Sequence, residues 1–108
     1  MAAPQPEKHF SDNATVRALW VNSTVKAVVA AHMDGVVFDW ESPCDPGAAS
    51  QRQYALLIAE TRAALRKVSP SYQVSTCVAW SPDGIDGRHY DIPAFAAASD
   101  LLYVMDYD

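Results

Sequence analysis

Two acidic residues separated by one position, Asp39 and Glu41, follow an apolar stretch of the sequence, residues 35–38. Side chains alternate along a β-strand, so an extended chain places both carboxylates on one face with Val37 and turns Trp40 to the other. The strand rise sets them ~6 to 7 Å apart at the backbone. Two carboxylates this close resist ionising together, so we expect one to keep its proton near neutral pH, as a general acid must. Either residue alone has a simpler interpretation, as a helix cap or a solvent-facing charge.

Helical and extended patterns alternate around this acid pair. The predicted elements are a helix over residues 12–31 with Ser11 or Asp12 as its N-cap, a strand over 33–40, a helix from the loop at 42–47 to Val68, a strand over 72–80, a short helix or turn over 92–99 and a strand over 101–107. Short, almost continuously apolar strands suit a parallel sheet covered by helices, which predicts an α/β fold. Ligand-binding groups gather at the carboxyl ends of parallel strands, where Asp39 and Glu41 lie.

Length and composition indicate one globular domain, because 108 residues that are 50% hydrophobic can bury a core. Residues 1–11, with Pro4 and Pro6, are predicted to be a linker or a ragged start, and residues 12–108 to be the domain. The net charge of −5 and the lack of a basic cluster argue against nucleic acid or an anionic membrane as a partner. No apolar run reaches the ~20 residues of a membrane span, and the N-terminus lacks the apolar core of a signal peptide.

The two cysteines, Cys44 and Cys77, are far apart and show no CxxC or histidine-partnered spacing. This pattern favours structural or incidental thiols over a metal site, with a mutual disulfide as the alternative. We therefore predict no metal and no cofactor. Two glycosylation sequons begin at Asn13 and Asn22, and they matter only if the protein enters the secretory route.

Three stretches of the sequence resemble motifs of the family 18 glycoside hydrolases. Residues 34–41, DGVVFDWE, resemble the DGxDxDxE signature on the fourth strand of their (β/α)8 barrel, and residues 105–108, MDYD, resemble the MxYD motif on the sixth strand. Residues 78–82, VAWSP, and the Ile-Asp pair that follows resemble the chitobiase branch of that family. The resemblance covers about residues 17–108 and implies a partial TIM barrel, from its third helix to its sixth strand.

The resemblance also implies a reaction. Family 18 enzymes hydrolyse β-1,4-linked N-acetylglucosamine, in chitin oligomers or the chitobiose core of N-glycans, with retention and with the substrate's own acetamido group as nucleophile. Carried onto this sequence, Glu41 is the general acid and then the general base, Asp39 holds the acetamido N–H, and Tyr107 bonds the acetamido oxygen.

Three further residues are expected to contact the substrate: Asp108, Trp80 and Met105. Asp108 would hold a sugar hydroxyl or support the neighbouring groups, and Trp80 would stack on a pyranose face. Met105 has barrel packing as its simpler role. The sequence departs from the family signature at Val37, which stands at its first inner acid and so removes a carboxylate partner of Asp39.

A complete (β/α)8 barrel takes ~250 residues, so the chain is predicted to supply three of the eight strands. Open sheet edges expose unpaired backbone, and the isolated chain is expected to be inactive and marginally stable. For the full-length parent, the resemblance implies an oligosaccharide substrate, a monomeric state and a lysosomal or secreted location. Two other interpretations stay open. One is a truncated gene product, and the other is a non-catalytic chitinase-like carbohydrate-binding module, which Glu41 argues against because such modules usually lose that acid.

Overall fold

The structure, a computed structural model, describes residues 12–106, in which helices and strands alternate. Its elements are α1 (Ala14–Ala30), β1 (Gly35–Phe38), α2 (Ala49–Val68), β2 (Gln73–Ala79), α3 (Ile92–Ala98) and β3 (Leu101–Met105). A single 3-10 turn, Ile85–Gly87, lies in the loop between β2 and α3. No helix in this part of the chain is long and apolar enough to cross a membrane. The predicted linker at 1–11 and two predicted site residues, Tyr107 and Asp108, lie outside the described residues.

The three strands form one parallel sheet in the order β1, β2, β3. Residues 35–38 pair with residues 73–76, and residues 75–79 pair with residues 101–105. A helix connects each strand to the next, which confirms the predicted α/β class. Because the strands run in one direction, their carboxyl ends share one edge of the sheet. The acid pair of residues 39 and 41 follows β1 at that edge.

One face of the sheet packs against the helices and forms the core. Phe38 of β1 contacts Trp20 of α1 and Tyr54 of α2, with ring centroids 5.9 and 6.0 Å apart. The most buried large side chains are Tyr54, Phe38, Phe95, Leu57, Ile58, Leu65, Val28 and Val74. Burying each such side chain contributes about 1.5–3 kcal/mol. The opposite, inner face of the sheet carries Val37 and Tyr103, and both side chains are exposed.

The first helix begins later than predicted. Its N-cap is Asn13, which corrects the prediction of Ser11 or Asp12. The Asn13 side-chain oxygen accepts the backbone N–H of Thr15 at 2.9 Å, which satisfies a donor that the first helical turn leaves open. Asp12 is instead an ion-pair partner of Arg52 on α2, at 2.7 Å.

β1 is shorter than the predicted strand at 33–40, and it lies very close to β2. A Cβ atom added at Gly35 would stand 1.8 Å from the carbonyl oxygen of Gln73, so the pairing requires a residue without a side chain. At its other end the strand stops at Phe38, and two residues later the backbone N–H of Trp40 donates to the Tyr54 hydroxyl at 3.3 Å. At the start of the strand, the close approach of β1 to β2 therefore requires glycine at position 35.

Asp100 ties the amino ends of β2 and β3 to α2. Its carboxylate accepts from Arg62 at 2.8 Å, from Arg66, and from the Val74 backbone N–H at 2.9 Å. Burial alone would raise the pKa of Asp100, but the Val74 bond and the two guanidinium groups outweigh it and lower the pKa below its ordinary value of 3.8. This charged cluster stabilises the amino end of the sheet, which is the end remote from the acid pair.

Candidate active site

A cavity of about 350 Å³ lies at the carboxyl ends of the strands. Its walls consist of Asp39, Glu41, Cys77, Ala79, Trp80, Asp86, Arg88 and Met105. Four of the predicted site residues are therefore brought together around one space, and they come from all three strands or the residues that follow them. Tyr107 and Asp108 follow β3 at the same edge in sequence but lie outside the described residues.

The acid pair lies on the open side of the strand end. Asp39 and Glu41 are exposed, whereas Trp40 between them is 4% exposed and packs on the helix side of the sheet. Trp40 lies across the Tyr90 ring at 5.2 Å and meets the Tyr54 ring edge-on at 5.1 Å. This is the alternation predicted from the sequence, continued past the last paired residue of β1.

Two tyrosine hydroxyls hold the backbone on either side of Glu41. Tyr90 donates to the carbonyl oxygen of Ser42 at 2.6 Å and reaches that of Trp40 at 3.1 Å. Tyr54 accepts the Trp40 N–H. Burial raises the pKa of Tyr54 well above its ordinary value, so its hydroxyl stays neutral at all physiological pH. The segment that carries the acid pair is therefore bonded to α2 and to the loop before α3.

A second connection joins the loop after β1 to the loop after β2. The Cys44 N–H donates to the Gly87 carbonyl at 2.9 Å, and the His89 N–H donates to the Cys44 carbonyl at 2.8 Å. These bonds pair Cys44 with Arg88 in a short parallel bridge. As a result, the Asp86 and Arg88 side chains line the same cavity as the acid pair.

Cys77 of β2 is the neighbour of the acid pair on the inner face of the sheet. Burial raises the pKa of the Cys77 thiol, and the negative charges of Asp39 and Glu41 raise it further. Cys44 and Cys77 are both free thiols, so the alternative of a mutual disulfide is not seen. Cys44 is buried, with its sulfur 3.4 Å from the Ser50 hydroxyl.

The charges around the cavity are unequal. Asp39, Glu41 and Asp86 contribute three carboxylates, and Arg88 contributes the one cation among the described lining residues. The Arg88 and Asp86 side chains are 3.5 Å apart, and Asp86 is 72% exposed, so their ion pair is weak. Within residues 12–106 no three His, Cys, Asp or Glu side chains are grouped to hold a metal ion. The carboxylates of the cavity wall can transfer protons and accept hydrogen bonds.

A parallel α/β unit with an acid pair at the end of a strand is typical of barrel glycosidases. The profile of the Glycosyl hydrolases family 18 matches residues 5–108, and the chain belongs to this family. It is 43% identical over 90 residues to the probable di-N-acetylchitobiase 2 of Dictyostelium discoideum, covering 82% of this chain and 23% of that protein. It is 38% identical over 96 residues to the di-N-acetylchitobiase of Rattus norvegicus, covering 89% and 26%. The chain thus spans about a quarter of the length of these relatives.

Solved structures show the same fold. The chain superimposes on a chitinase from Trichuris suis with a TM-score of 0.77 at 26% identity, covering 96% of this chain and 29% of that one. It also superimposes on a mutant of the Ostrinia furnacalis Group II chitinase catalytic domain 2 in complex with (NAG)5, with a TM-score of 0.77 at 26% identity, covering 98% and 29%. The predicted partial (β/α)8 barrel is confirmed.

Sequence reasoning missed Tyr90, Arg88 and Cys77 as parts of the site. Tyr90 and Arg88 lie outside the three stretches that resemble the family motifs. Both come from residues 81–90, which carry no helical or strand periodicity. Cys77 had a usable signal, because it lies two residues before the end of β2, and strand alternation places it on the sheet face opposite the helices.

Proposed function

We propose that the full-length protein carrying this chain is a retaining glycosidase that cleaves β-1,4-linked N-acetylglucosamine, in the chitobiose core of N-glycans or in chitin oligomers, and that it acts as a monomer. The observation that carries the proposal is the common cavity of Asp39 and Glu41, with Trp80 and Met105 in its wall. The names of the chitobiase relatives and the (NAG)5 bound to a structural neighbour support this substrate class.

The first half of the proposed reaction forms a ring on the substrate. Glu41 gives its proton to the glycosidic oxygen, and the bond from that oxygen to the anomeric carbon breaks. The acetamido carbonyl oxygen of the same sugar bonds to the anomeric carbon, which makes an oxazolinium-like intermediate. Asp39 accepts the acetamido N–H and balances the positive charge that develops on the amide. In this proposal Tyr107 bonds the attacking oxygen.

The second half restores the sugar. Glu41, now a carboxylate, takes a proton from a water molecule, whose oxygen bonds to the anomeric carbon as the bond to the amide oxygen breaks. Both displacements occur at the same carbon, so its configuration is retained. The hydrogen bonds from Tyr90 to the Ser42 and Trp40 carbonyls support this dual role. They fix the backbone position from which the Glu41 side chain must reach both the glycosidic oxygen and the attacking water.

The remaining lining residues would hold the sugar. Trp80 is 64% exposed at the cavity, as expected of a ring available to a pyranose face. Met105 of β3 also lines the cavity. We propose that Asp108 holds a hydroxyl or supports its neighbours. A cavity of about 350 Å³ is near the small end of ligand pockets, in keeping with a cleft that further strands would complete.

We further propose that the isolated chain is inactive. The exposed inner-face residues Val37 and Tyr103, and Leu101 on the edge strand, need the remaining strands of a barrel to cover them. A non-catalytic carbohydrate-binding module is the alternative, and the retained acid at Glu41 disfavours it. We also propose a lysosomal or secreted location, in keeping with exposed sequon residues Asn13 and Asn22. A gel-mobility shift of the full-length protein after treatment with an N-glycosidase, lost when Asn13 and Asn22 are both substituted, would support that location. An unchanged mobility after the treatment would remove this support.

The test is hydrolysis of a labelled chitobiose substrate by the full-length protein and its Glu41→Gln variant. Loss of a general acid should lower kcat by ~10² to 10⁴-fold. Asp83→Asn is the matched control, because Asp83 is exposed and does not line the cavity. Equal rates for the Glu41→Gln variant and the parent would remove Glu41 from this role. Binding without hydrolysis in the parent would favour the carbohydrate-binding module.

A further inference from the structure

Arg88 presents an unused hydrogen-bond donor at the wall of the cavity. Its side chain is 17% exposed, and its Nε atom is buried without a hydrogen-bond partner among residues 12–106. Its one ion pair in that part of the chain is the long contact with Asp86 at 3.5 Å. Buried guanidinium N–H groups are normally satisfied, so an open one beside a cavity indicates a ligand atom that fills the position.

The backbone on both sides of Arg88 is fixed. The Gly87 carbonyl and the His89 N–H both bond to Cys44, in the loop that also follows Glu41. Arg88 and the acid pair are therefore connected through a few residues of hydrogen-bonded chain. A donor held in this way loses little freedom when a ligand binds, which favours a role in positioning a substrate.

We propose that Arg88 is a substrate-binding residue that donates hydrogen bonds to a neutral oxygen of the sugar next to the scissile bond, a hydroxyl or an acetamido carbonyl. The inference rests on the proposed glycosidase function and extends it to a residue outside the acid signature. The cavity wall carries three carboxylates against this one guanidinium, so an anionic substituent on the sugar would be repelled. The carboxylates of the cavity wall, and not Arg88, thus favour neutral N-acetylglucosamine units over sulfated or carboxylated ones, and Arg88 contributes hydrogen bonds to a neutral oxygen.

Binding is best measured in the full-length Glu41→Gln protein, because a blocked reaction separates affinity from turnover. Calorimetry with N-acetylglucosamine oligomers should show that adding Arg88→Met weakens binding by about ten- to a hundredfold, the effect of losing a hydrogen bond from a charged donor. Arg88→Lys should recover part of the affinity, since it keeps the charge but not the planar donors. Arg52→Met is the matched control and should bind normally, because Arg52 pairs with Asp12 away from the cavity.

Kinetics in the otherwise unchanged full-length protein give a second readout. Loss of a ground-state contact raises KM and leaves kcat and its pH profile near the parent values. If Arg88 had only a structural role, Arg88→Met would lower the thermal unfolding midpoint in proportion to the loss of affinity. The proposal would be overturned if the Arg88→Met protein is folded and binds oligomers as tightly as its parent. If Arg88→Met does not fold, unchanged binding by the Arg88→Lys protein would overturn it.

The two proposals can fail separately. If Glu41→Gln hydrolyses chitobiose at the parental rate, the catalytic assignment fails, while weaker binding by the Arg88 variants would still support the contact. If Glu41→Gln binds no N-acetylglucosamine oligomer, both proposals are overturned.

Discussion

The Tyr90 hydroxyl donates to the Ser42 carbonyl oxygen at 2.6 Å and reaches the Trp40 carbonyl oxygen at 3.1 Å, so it contacts the residues on both sides of Glu41. Tyr90 lies 49 positions after Glu41 in the sequence, in the loop before α3. The acid of the proposed mechanism is therefore positioned by a residue of the next βα unit, and neither β1 nor its signature motif suffices to place it.

Removing this hydroxyl is the first prediction. Tyr90→Phe keeps the ring that stacks on Trp40 but loses the hydrogen bonds, so the full-length protein should lose about 1–2 kcal/mol of stability. Its kcat should fall more than its KM rises, because the disturbed group acts in the transition state. Urea unfolding and steady-state kinetics measure both. Tyr72→Phe, which removes the hydroxyl of a partly buried tyrosine that does not line the cavity, is the control. An unchanged kcat for Tyr90→Phe would contradict the positioning role.

Gly35 provides a prediction about the sheet. Gly35→Ala would drive a Cβ to 1.8 Å from the Gln73 carbonyl, so β1 must separate from β2 and stability should fall by about 3 kcal/mol or more. Gly47→Ala is matched in chemistry but has no atom within 4 Å, and it should cost only about 1 kcal/mol for its left-handed backbone. Thermal unfolding of both variants in the full-length protein gives the comparison. Similar midpoints would show that the two strands can tolerate the added atom.

Asp100 makes stability depend on pH in a defined direction. A carboxylate whose folded pKa lies below its unfolded value stabilises the fold above the unfolded pKa, and this contribution disappears as the pH falls through the folded pKa. Asp100→Asn should therefore cost about 1–3 kcal/mol at neutral pH, and the difference from the parent should narrow below about pH 4. Denaturant unfolding at several pH values tests this. A difference that is constant with pH, or that grows in acid, would contradict the ionised cluster.

Cys77 reports on the charges beside it. Burial and the negative charges of Asp39 and Glu41 raise its pKa, so alkylation by iodoacetamide should be slow near neutral pH and accelerate above pH 9. Asp39→Asn removes one of the raising charges, lowers the thiol pKa and should speed alkylation at a fixed pH. The rate is followed by mass spectrometry in a Cys44→Ser background of the full-length protein, with Asp83→Asn as control. Identical rates with and without the Asp39 charge would place the thiol away from the acid pair.

The acid pair and the parallel sheet were predictable because both depend on local periodicity. Alternation along one strand assigns Asp39 and Glu41 to a face, and apolar strands separated by helices require parallel pairing. The contributions of Tyr90 and Arg88 were not predictable, because neither leaves a pattern in the sequence. Tyr90 acts through hydroxyl bonds to the Ser42 and Trp40 carbonyls, and Arg88 is placed by backbone bonds between Cys44 and the loop at 87–89. The predicted N-cap of the first helix was wrong because Ser, Asp and Asn occur in succession at residues 11–13, and each of these residue types can cap a helix.

The most direct test of the central claim is a crystal structure of the full-length Glu41→Gln protein with a bound N-acetylglucosamine oligomer. We expect the Asp39 carboxylate within hydrogen-bond distance of the acetamido N–H, and the substituted side chain at position 41 within that distance of the glycosidic oxygen. We also expect Tyr107 to contact the acetamido oxygen. An oligomer bound outside the cavity, or one whose acetamido group points away from Asp39, would contradict the proposed mechanism.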